Sequence, residues 1–211
     1  MENKTTIYLI RHGETDANVT NTIQGQSDVP LNENGRLQAR LAGERFGKMP
    51  FDVILSSDLS RAAVTARAIG GDREIIYTPE LREWDLGAWV GMTLAECAEK
   101  YPQEMTDFRS GSLEAQVPEG ESRREFFARA ERVLQGIISA HPGKTVLCVT
   151  HGGVLRAMFN VIFGTSAASR MIRTDNTCFC GFRYYHDRGQ WQLLCWNDTA
   201  HLEGKALSGG W

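Results

Sequence analysis

Long apolar runs are missing from this 211-residue chain. None approaches the ~18 uninterrupted residues of a membrane-spanning helix, so no such span is expected. Positive charge is not in excess either: 23 Lys and Arg stand against 26 Asp and Glu, a net of −3. That balance lacks the basic footprint by which nucleic acid or an anionic membrane would be held. Cysteine is sparse and odd in number, five residues at Cys97, Cys148, Cys178, Cys180 and Cys195 in apolar surroundings. Reduced, mostly buried thiols are expected rather than a disulfide framework. No second cysteine pair or nearby histidine completes a zinc set around Cys178-Phe179-Cys180. Repeats, low-complexity tracts and linker-like stretches are also lacking, so a single domain over 1–211 is expected. Met1-Glu2-Asn3-Lys4 leads straight into a core strand with no visible signal peptide, which makes cytoplasm the expected location.

What is present is ordinary globular composition, 42% hydrophobic and 23% charged, arranged as alternating strands and helices. Residues 5–11 form a β-branched and apolar run suited to a strand buried on both faces. A polar loop over 13–30 follows, and Asn32 is placed to cap a helix over about 33–47. Residues 51–56 read as a second strand, Ser57-Asp58 as the cap of a helix carrying Arg61, and Gly70-Gly71 as its stop. A short strand over 74–77 precedes an irregular stretch, 81–91. Thr93–Glu96 and Ser122–Glu125 have capping-box spacing, the first opening helical segments to 110 and the second a long amphipathic helix to about His141. Residues 144–150 are a strand, Gly152-Gly153 starts a helix to Phe163, and final strands are expected over 177–185 and 191–196. The pattern predicts an α/β three-layer sandwich, a mostly parallel central sheet flanked by helices, with a helical cap or lid around 84–121.

In such sheets ligands bind outside the carboxyl ends of the strands. Arg11-His12-Gly13, Ser57 to Arg61, and His151-Gly152 all fall there, although each is a weak signal alone. Arg61 could be a solvated charge, and Glu83 could merely pair with Arg82. Together they contain the parts of a phosphoryl-transfer site. Arg11 and Arg61 can hold phosphate oxygens in bidentate fashion, and the N–H at a helix start such as Gly152 adds a neutral donor. His12 is the candidate nucleophile, its second nitrogen proton held by a carbonyl such as that of Gly13. A cationic His151 would stabilise the transition state. Glu83 could protonate the leaving alcohol and then activate water, since a carboxyl beside a phosphate dianion is disfavoured from ionising.

The motifs Leu9-Ile10-Arg11-His12-Gly13-Glu14-Thr15 with Asn18, Gln24-Gly25, Ser56 to Ala62, Leu81-Arg82-Glu83, Pro118 to Ser122 and Val149 to Gly153 resemble those of the histidine phosphatase superfamily, in its phosphoglycerate-mutase-like branch. The resemblance implies His12 as the phosphorylated residue, Glu83 as proton donor, Arg11, Arg61 and His151 around the phosphate, Asn18, Gln24 and Gly25 lining the site, and no metal or other cofactor. It implies either a phosphatase or a 2,3-bisphosphoglycerate-dependent mutase. Mutases of this branch carry paired arginines between the positions of Tyr101 and Glu121, where this chain has only Arg109 among several acids, which favours hydrolysis. Arg123-Arg124, just beyond, reads as a solvated helix face.

Trp84, Trp89, Met92, Met105 and Phe108 could line a less polar pocket or simply be core. Asn197-Asp198 with His201-Leu202 resembles the tail of phosphatases in this branch, including α-ribazole phosphatase; His201 could close over the site or lie exposed. The expected partner is a small phosphorylated substrate, not nucleic acid or membrane, and a homodimer is kept as an alternative. A silent phospholigand-binding module and a metallohydrolase using His12, His151 and Glu83 are the other classes to be tested.

Overall fold

The computed structural model describes residues 3–165 and 172–204. Its centre is a six-stranded sheet of β1 (Lys4–Arg11), β2 (Val53–Ser57), β3 (Ile76–Thr78), β4 (Thr145–Thr150), β5 (Phe179–Tyr185) and β6 (Gln190–Asp198), in the order β3-β2-β4-β1-β5-β6. Three neighbouring pairs are parallel, β1 with β4, β4 with β2 and β2 with β3. The pairs β1–β5 and β5–β6 are antiparallel, so one side of the sheet departs from the parallel pattern. Alternate side chains of the central strands enter two cores, as a strand's period of two requires. Ile7, Leu9, Val146 and Cys148 pack with α6 (Arg123–Ala140) and α7 (Gly152–Phe163). Ile10, Ile54, Leu147 and Val149 pack with α2 (Glu33–Phe46) and α3 (Ser60–Gly70). Helices on both faces of a sheet make the expected three-layer sandwich.

A smaller apolar cluster of Ile23, Trp89, Cys97, Met105 and Val117 lies apart from these cores. It belongs to α4 (Leu94–Lys100), α5 (Pro102–Ser110) and the irregular segments beside them. Both capping boxes form as the spacing predicts, at Thr93–Glu96 and Ser122–Glu125. The cysteines are free, with Cys195 half-buried and the others buried. Among the described residues no helix is long and apolar enough to cross a membrane.

Two expectations are corrected locally. Ser57 does not cap α3: the N-cap is Leu59, which has no side-chain cap bond, and Ser57 is the last residue of β2. Its hydroxyl accepts from Leu59 N at 3.3 Å and bonds the His151 ring at 2.9 Å. The polar loop after β1 is not wholly irregular, because Thr15 and Asn18 form a reciprocal capping box on the short helix α1 (Asp16–Val19). The loop is pressed onto the start of α2 by main-chain contact. A Cβ at Gly13 would strike the Gly35 carbonyl, and a Cβ at Gly35 would strike the Glu14 main chain. Asn32 completes the join, accepting from Gly35 N at 2.8 Å and donating to the Glu14 carboxylate at 2.8 Å.

Gly35→Ala places a methyl against backbone that no rotamer change can relieve. It is expected to destabilise the fold by roughly 1–3 kcal/mol, read from the midpoint and slope of urea denaturation; an unshifted midpoint would refute this contact.

Candidate active site

Parallel register brings the sequence signals together. Arg11 pairs with Thr150 at the ends of β1 and β4, so the next residues, His12 and His151, leave the sheet side by side. The His12 N–H donates to the Thr150 carbonyl at 2.9 Å. The two imidazole centroids are 5.1 Å apart, and β2 delivers Ser57 to the other side of His151. Because β5 runs antiparallel to β1, the segment entering it, residues 172–178, reaches the same end. From it Thr174 O accepts from Arg11 Nη1 at 2.6 Å, and Asn176 Nδ2 donates to the His12 carbonyl at 3.0 Å.

Together these elements open a cavity of about 520 Å³, lined by Arg11, His12, Asn18, Gln24, Gly25, Arg61 and Glu83 of the predicted set. His151 does not line it; wholly buried, it stands behind His12. Gly152 does not line it either, being packed against the Arg11 guanidinium, and Gly153 lines the cavity in its place. Asn18 is oriented by Thr15 and by Asn176, which donates to its Oδ1 at 3.2 Å. Gln24 Oε1 accepts from the Thr15 hydroxyl at 3.0 Å.

Charge here is predominantly positive. Arg61 is 1% exposed and donates to the carbonyls of Ser27 at 2.6 Å and Gly25 at 2.8 Å, leaving its buried Nε without a partner among the described residues. Burial lowers its guanidinium to about 10, despite the opposing field of Glu83. Arg11 is lowered as well, by burial and then by the charge of Arg156. Both histidines are held well below their ordinary value. For His12 the causes are burial, then Arg61 and Arg11. For His151 they are burial, then Arg61, His12 and the Arg11 charge. His12 Nδ1 donates to the Gly13 carbonyl at 2.7 Å, so in the neutral ring Nε2 carries the lone pair. His151 is therefore neutral among these cations, and the cationic form is expected beside a phosphate oxygen. A bound phosphate would reverse that field.

Glu83 is clear of Arg82, which forms a two-bond pair with Asp58 at 2.7 and 2.6 Å. Its carboxylate accepts from Trp84 N at 2.9 Å and Gly153 N at 3.0 Å, and a Cβ at residue 153 would collide with it. The main chain that carries Glu83 is bracketed by Arg129 of α6. That guanidinium makes five hydrogen bonds, to the carbonyls of Glu80, Arg82 and Glu83 and to both oxygens of Glu121. Only Glu121 is near Arg129 in sequence; the three carbonyls it holds lie 46 to 49 positions away, so nothing local signals this role.

The apolar part of the cavity lining comes from Trp84, Phe108, Phe126 and Phe127, with Trp89 and Met105. Core and pocket are therefore the same residues: Trp84 stacks on Phe126 at 5.0 Å while both line the cavity. Met92 packs on the smaller cluster and does not line the cavity. The solvated-face expectation fails for Arg123. It is 6% exposed, lies over the rings of Trp84 at 5.4 Å and Phe108 at 5.1 Å, and donates to the carbonyls of Phe108 and Ser112. Arg124 is exposed and pairs with Glu114. Arg109, Arg123, Arg156 and Arg173 all line the cavity, so the pocket is richer in arginine than the stretch 101–121 implies. His201 neither closes over the site nor lies open. It packs edge-on to Phe46 at 5.3 Å, bonds Thr177 Oγ1 at 2.9 Å, and is lowered to about 4 by burial and by Arg45.

A lone-pair-bearing imidazole between buried guanidiniums, with a carboxylate across the cavity, suits attack on a phosphorus centre better than retention of a cation. Among the described residues no three His, Cys, Asp or Glu side chains group as metal ligands would.

The sequence profile of the histidine phosphatase superfamily (branch 1) matches residues 7–199. The metal-independent phosphoserine phosphatase of Arabidopsis thaliana is 38% identical over 204 residues, 94% of this chain and 83% of that protein. Phosphoglycerate mutase-like protein 4 of the same plant is 35% identical over 202 residues, 93% of this chain and 86% of its own. Among solved structures, the phosphoserine phosphatase of Entamoeba histolytica in complex with 3-phosphoglyceric acid superposes with a TM-score of 0.86. It is 30% identical, over 94% of this chain and 99% of that one.

The depressed histidines make stability depend on pH. Unfolded histidine binds its proton near pH ~6.5, above the folded values of His12, His151 and His201. The unfolded state therefore holds more protons below that point, and stability present above pH ~6.5 is lost as pH falls. Tm is expected to drop between pH 6.5 and 5 in phosphate-free buffer, and to drop less with phosphate added or in His201→Gln. A flat Tm profile over that interval would contradict the assignment.

Proposed function

The chain belongs to the histidine phosphatase superfamily (branch 1), and on that footing we propose that it is a metal-independent phosphomonoester phosphatase, acting through a phosphohistidine at His12 on a small phosphorylated metabolite. The observation that carries the reading is His12 itself: neutral, its Nδ1–H committed to the Gly13 carbonyl, and lining the cavity beside Arg11 and Arg61.

In the first half-reaction His12 Nε2 forms the N–P bond while the P–O bond to the alcohol breaks. The alcohol oxygen takes a proton from Glu83, which for this step enters protonated with the bound dianion. In the second, Glu83 removes a proton from water, the water oxygen forms a P–O bond, and the N–P bond breaks to release inorganic phosphate and neutral His12. Arg11 and Arg61 hold the equatorial oxygens throughout. His151, behind His12, gains a proton or a hydrogen bond as the dianion enters.

Transfer back to a second substrate oxygen, the mutase alternative, has one observation in its favour: Arg109, Arg156 and Arg173 reach the cavity. Against it, a mutase must keep water from the phosphohistidine, whereas a cavity of about 520 Å³ with aromatic walls leaves room for a larger alcohol and for water. Phosphoserine and α-ribazole 5′-phosphate are both members of the substrate class to screen.

Enzyme quenched in denaturant after mixing with labelled phosphomonoester is expected to carry acid-labile phosphate, absent in His12→Ala. Turnover that persists in His12→Ala would sink the mechanism, and turnover lost to chelator would point to a metallohydrolase. Glu83→Gln should lower kcat by roughly 10²–10⁴ for alkyl phosphates; with p-nitrophenyl phosphate, whose leaving group needs no proton, the burst of p-nitrophenolate that reports phosphorylation of His12 should be largely spared while steady-state turnover still falls, because the water step lacks its base. A coupled assay with and without 2,3-bisphosphoglycerate separates the mutase, and ligand binding without turnover separates a silent module.

A further inference from the structure

Four consecutive polar residues, Thr174 to Thr177, are buried without belonging to a helix or strand. The last three belong to the turn that leads into β5, closed by Cys178 N donating to the Asp175 carbonyl at 3.1 Å. Thr177 occupies the third position of that turn at φ +53° and is fully buried. The conformation suits glycine or asparagine, and for a β-branched residue it is an outlier that the surroundings must hold in place. Strain of this kind gathers where a group is being positioned.

What the turn positions is the main chain of the nucleophile. Thr177 N donates to the carbonyls of Arg11 at 3.1 Å and His12 at 3.3 Å, and Asn176 Nδ2 donates to the His12 carbonyl at 3.0 Å. At the other edge of the same peptide, Gly13 N donates to Thr65 Oγ1 at 3.1 Å. The plane of the His12–Gly13 peptide is therefore gripped from both sides. The Gly13 carbonyl, next along, takes the Nδ1 proton and so aims Nε2, which makes the grip on the main chain a control on the line of attack.

The C-terminal segment supplies the latch. Thr177 Oγ1 bonds His201 Nε2 at 2.9 Å, and the His201 ring is seated edge-on against Phe46 of α2 at 5.3 Å. Asn197, itself at φ +52°, makes a reciprocal pair with Asp175. Asp175 N donates to Asn197 Oδ1 at 2.7 Å, and Asn197 Nδ2 donates to the Asp175 carboxylate at 2.8 Å. None of Thr177, Asn197 and His201 lines the cavity.

We propose that Thr177 and His201 are positioning residues for phosphorylation of His12: through one hydrogen bond the C-terminal segment holds the strained turn, and the turn holds His12 in line with phosphorus. This rests on the phosphatase reading above. The motif Asn197-Asp198 with His201-Leu202 thereby acts on the main chain of the nucleophile rather than as a cover over substrate.

p-Nitrophenyl phosphate isolates that step, because its leaving group needs no proton from Glu83. With enzyme in saturating excess, the single-turnover rate constant for p-nitrophenolate release belongs to intact complexes and is not lowered by a fraction of unfolded protein. Thr177→Val and His201→Ala are each expected to lower it about tenfold or more, as displacement of the reacting atoms does, while the enzyme concentration giving half the maximal rate moves less than about threefold. Thr177→Ser keeps a hydroxyl for the bond and His201→Gln a side-chain amide, so both should stay within about threefold of wild type. Because both losses remove one bond, Thr177→Val with His201→Ala should be no slower than the slower single variant. Thr177→Gly separates strain from latch: glycine accepts φ +53° without strain, so a purely conformational role predicts full rate, whereas the proposal predicts the loss seen in Thr177→Val. Full rate in Thr177→Val, Thr177→Gly or folded His201→Ala overturns the proposal, as do multiplied losses in the double variant or an equal loss in Thr177→Ser. Should His201→Ala not fold, Thr177→Val against Thr177→Ser decides. Release that persists in His12→Ala would instead defeat the phosphatase reading.

Discussion

Buried positive charge at the carboxyl ends of the central strands is the constraint around which this protein is organised. Arg11 and Arg61 are almost fully enclosed, and the bonds that orient them run to main-chain carbonyls of Thr174, Ser27 and Gly25. Enclosing a guanidinium costs several kcal/mol unless its charge is answered. Carbonyl dipoles answer part of it, and a dianionic ligand would answer the rest. Burial first, and then the same field, hold His12 and His151 neutral, which leaves His12 a lone pair and leaves His151 able to accept a proton when an anion enters. Nucleophile, electrophilic cradle and anion selectivity are thus three results of one placement of charge.

The scaffold spends its other polar residues on holding that placement. Thr65 accepts from Gly13 N and donates to the Arg61 carbonyl, joining the loop of one arginine to the helix of the other. Arg129 and Glu121 fix the irregular segment of Glu83 within the layer that α6 shares with it. Thr177 donates its N–H to the carbonyls of Arg11 and His12 and is backed by His201. In these networks the bonded groups satisfy one another, the condition under which polar groups stiffen an interior, although His201 Nδ1 has no partner among the described residues.

Much of this was legible from the chain. Continuous apolar runs marked the doubly buried strands β1 and β4, capping boxes marked α4 and α6, and strand ends marked Arg11, His12 and His151. What escaped has a physical pattern. Ser57 reads as a helix cap because hydroxyl caps are local, but its hydroxyl reaches only Leu59 N, ahead of the helix, and is shared with the imidazole of His151, 94 positions away in sequence. Arg123 reads as solvated because its platform, Trp84 and Phe108, is assembled only in three dimensions. Arg156 and Asn160 draw no reading beyond belonging to the helix that starts at Gly152-Gly153, since periodicity does not say which helix face borders a cavity. The arginine-poor stretch 101–121 was a true statement about sequence and an incomplete one about the pocket.

The pairing of Arg11 with Thr150 sets the distance between the two histidines by peptide geometry. Side chains of β1 and β4 can therefore be exchanged for others of like volume while the spacing of His12 and His151 persists, because no side-chain contact defines it. A single-residue insertion or deletion in either strand is a different matter. It would shift one histidine along the ladder and turn the strand's side chains to the opposite layer. Lineages diverging from this fold are accordingly free to vary the composition of these strands but not their length, and new chemistry is more readily gained by lengthening the segments that wall the cavity.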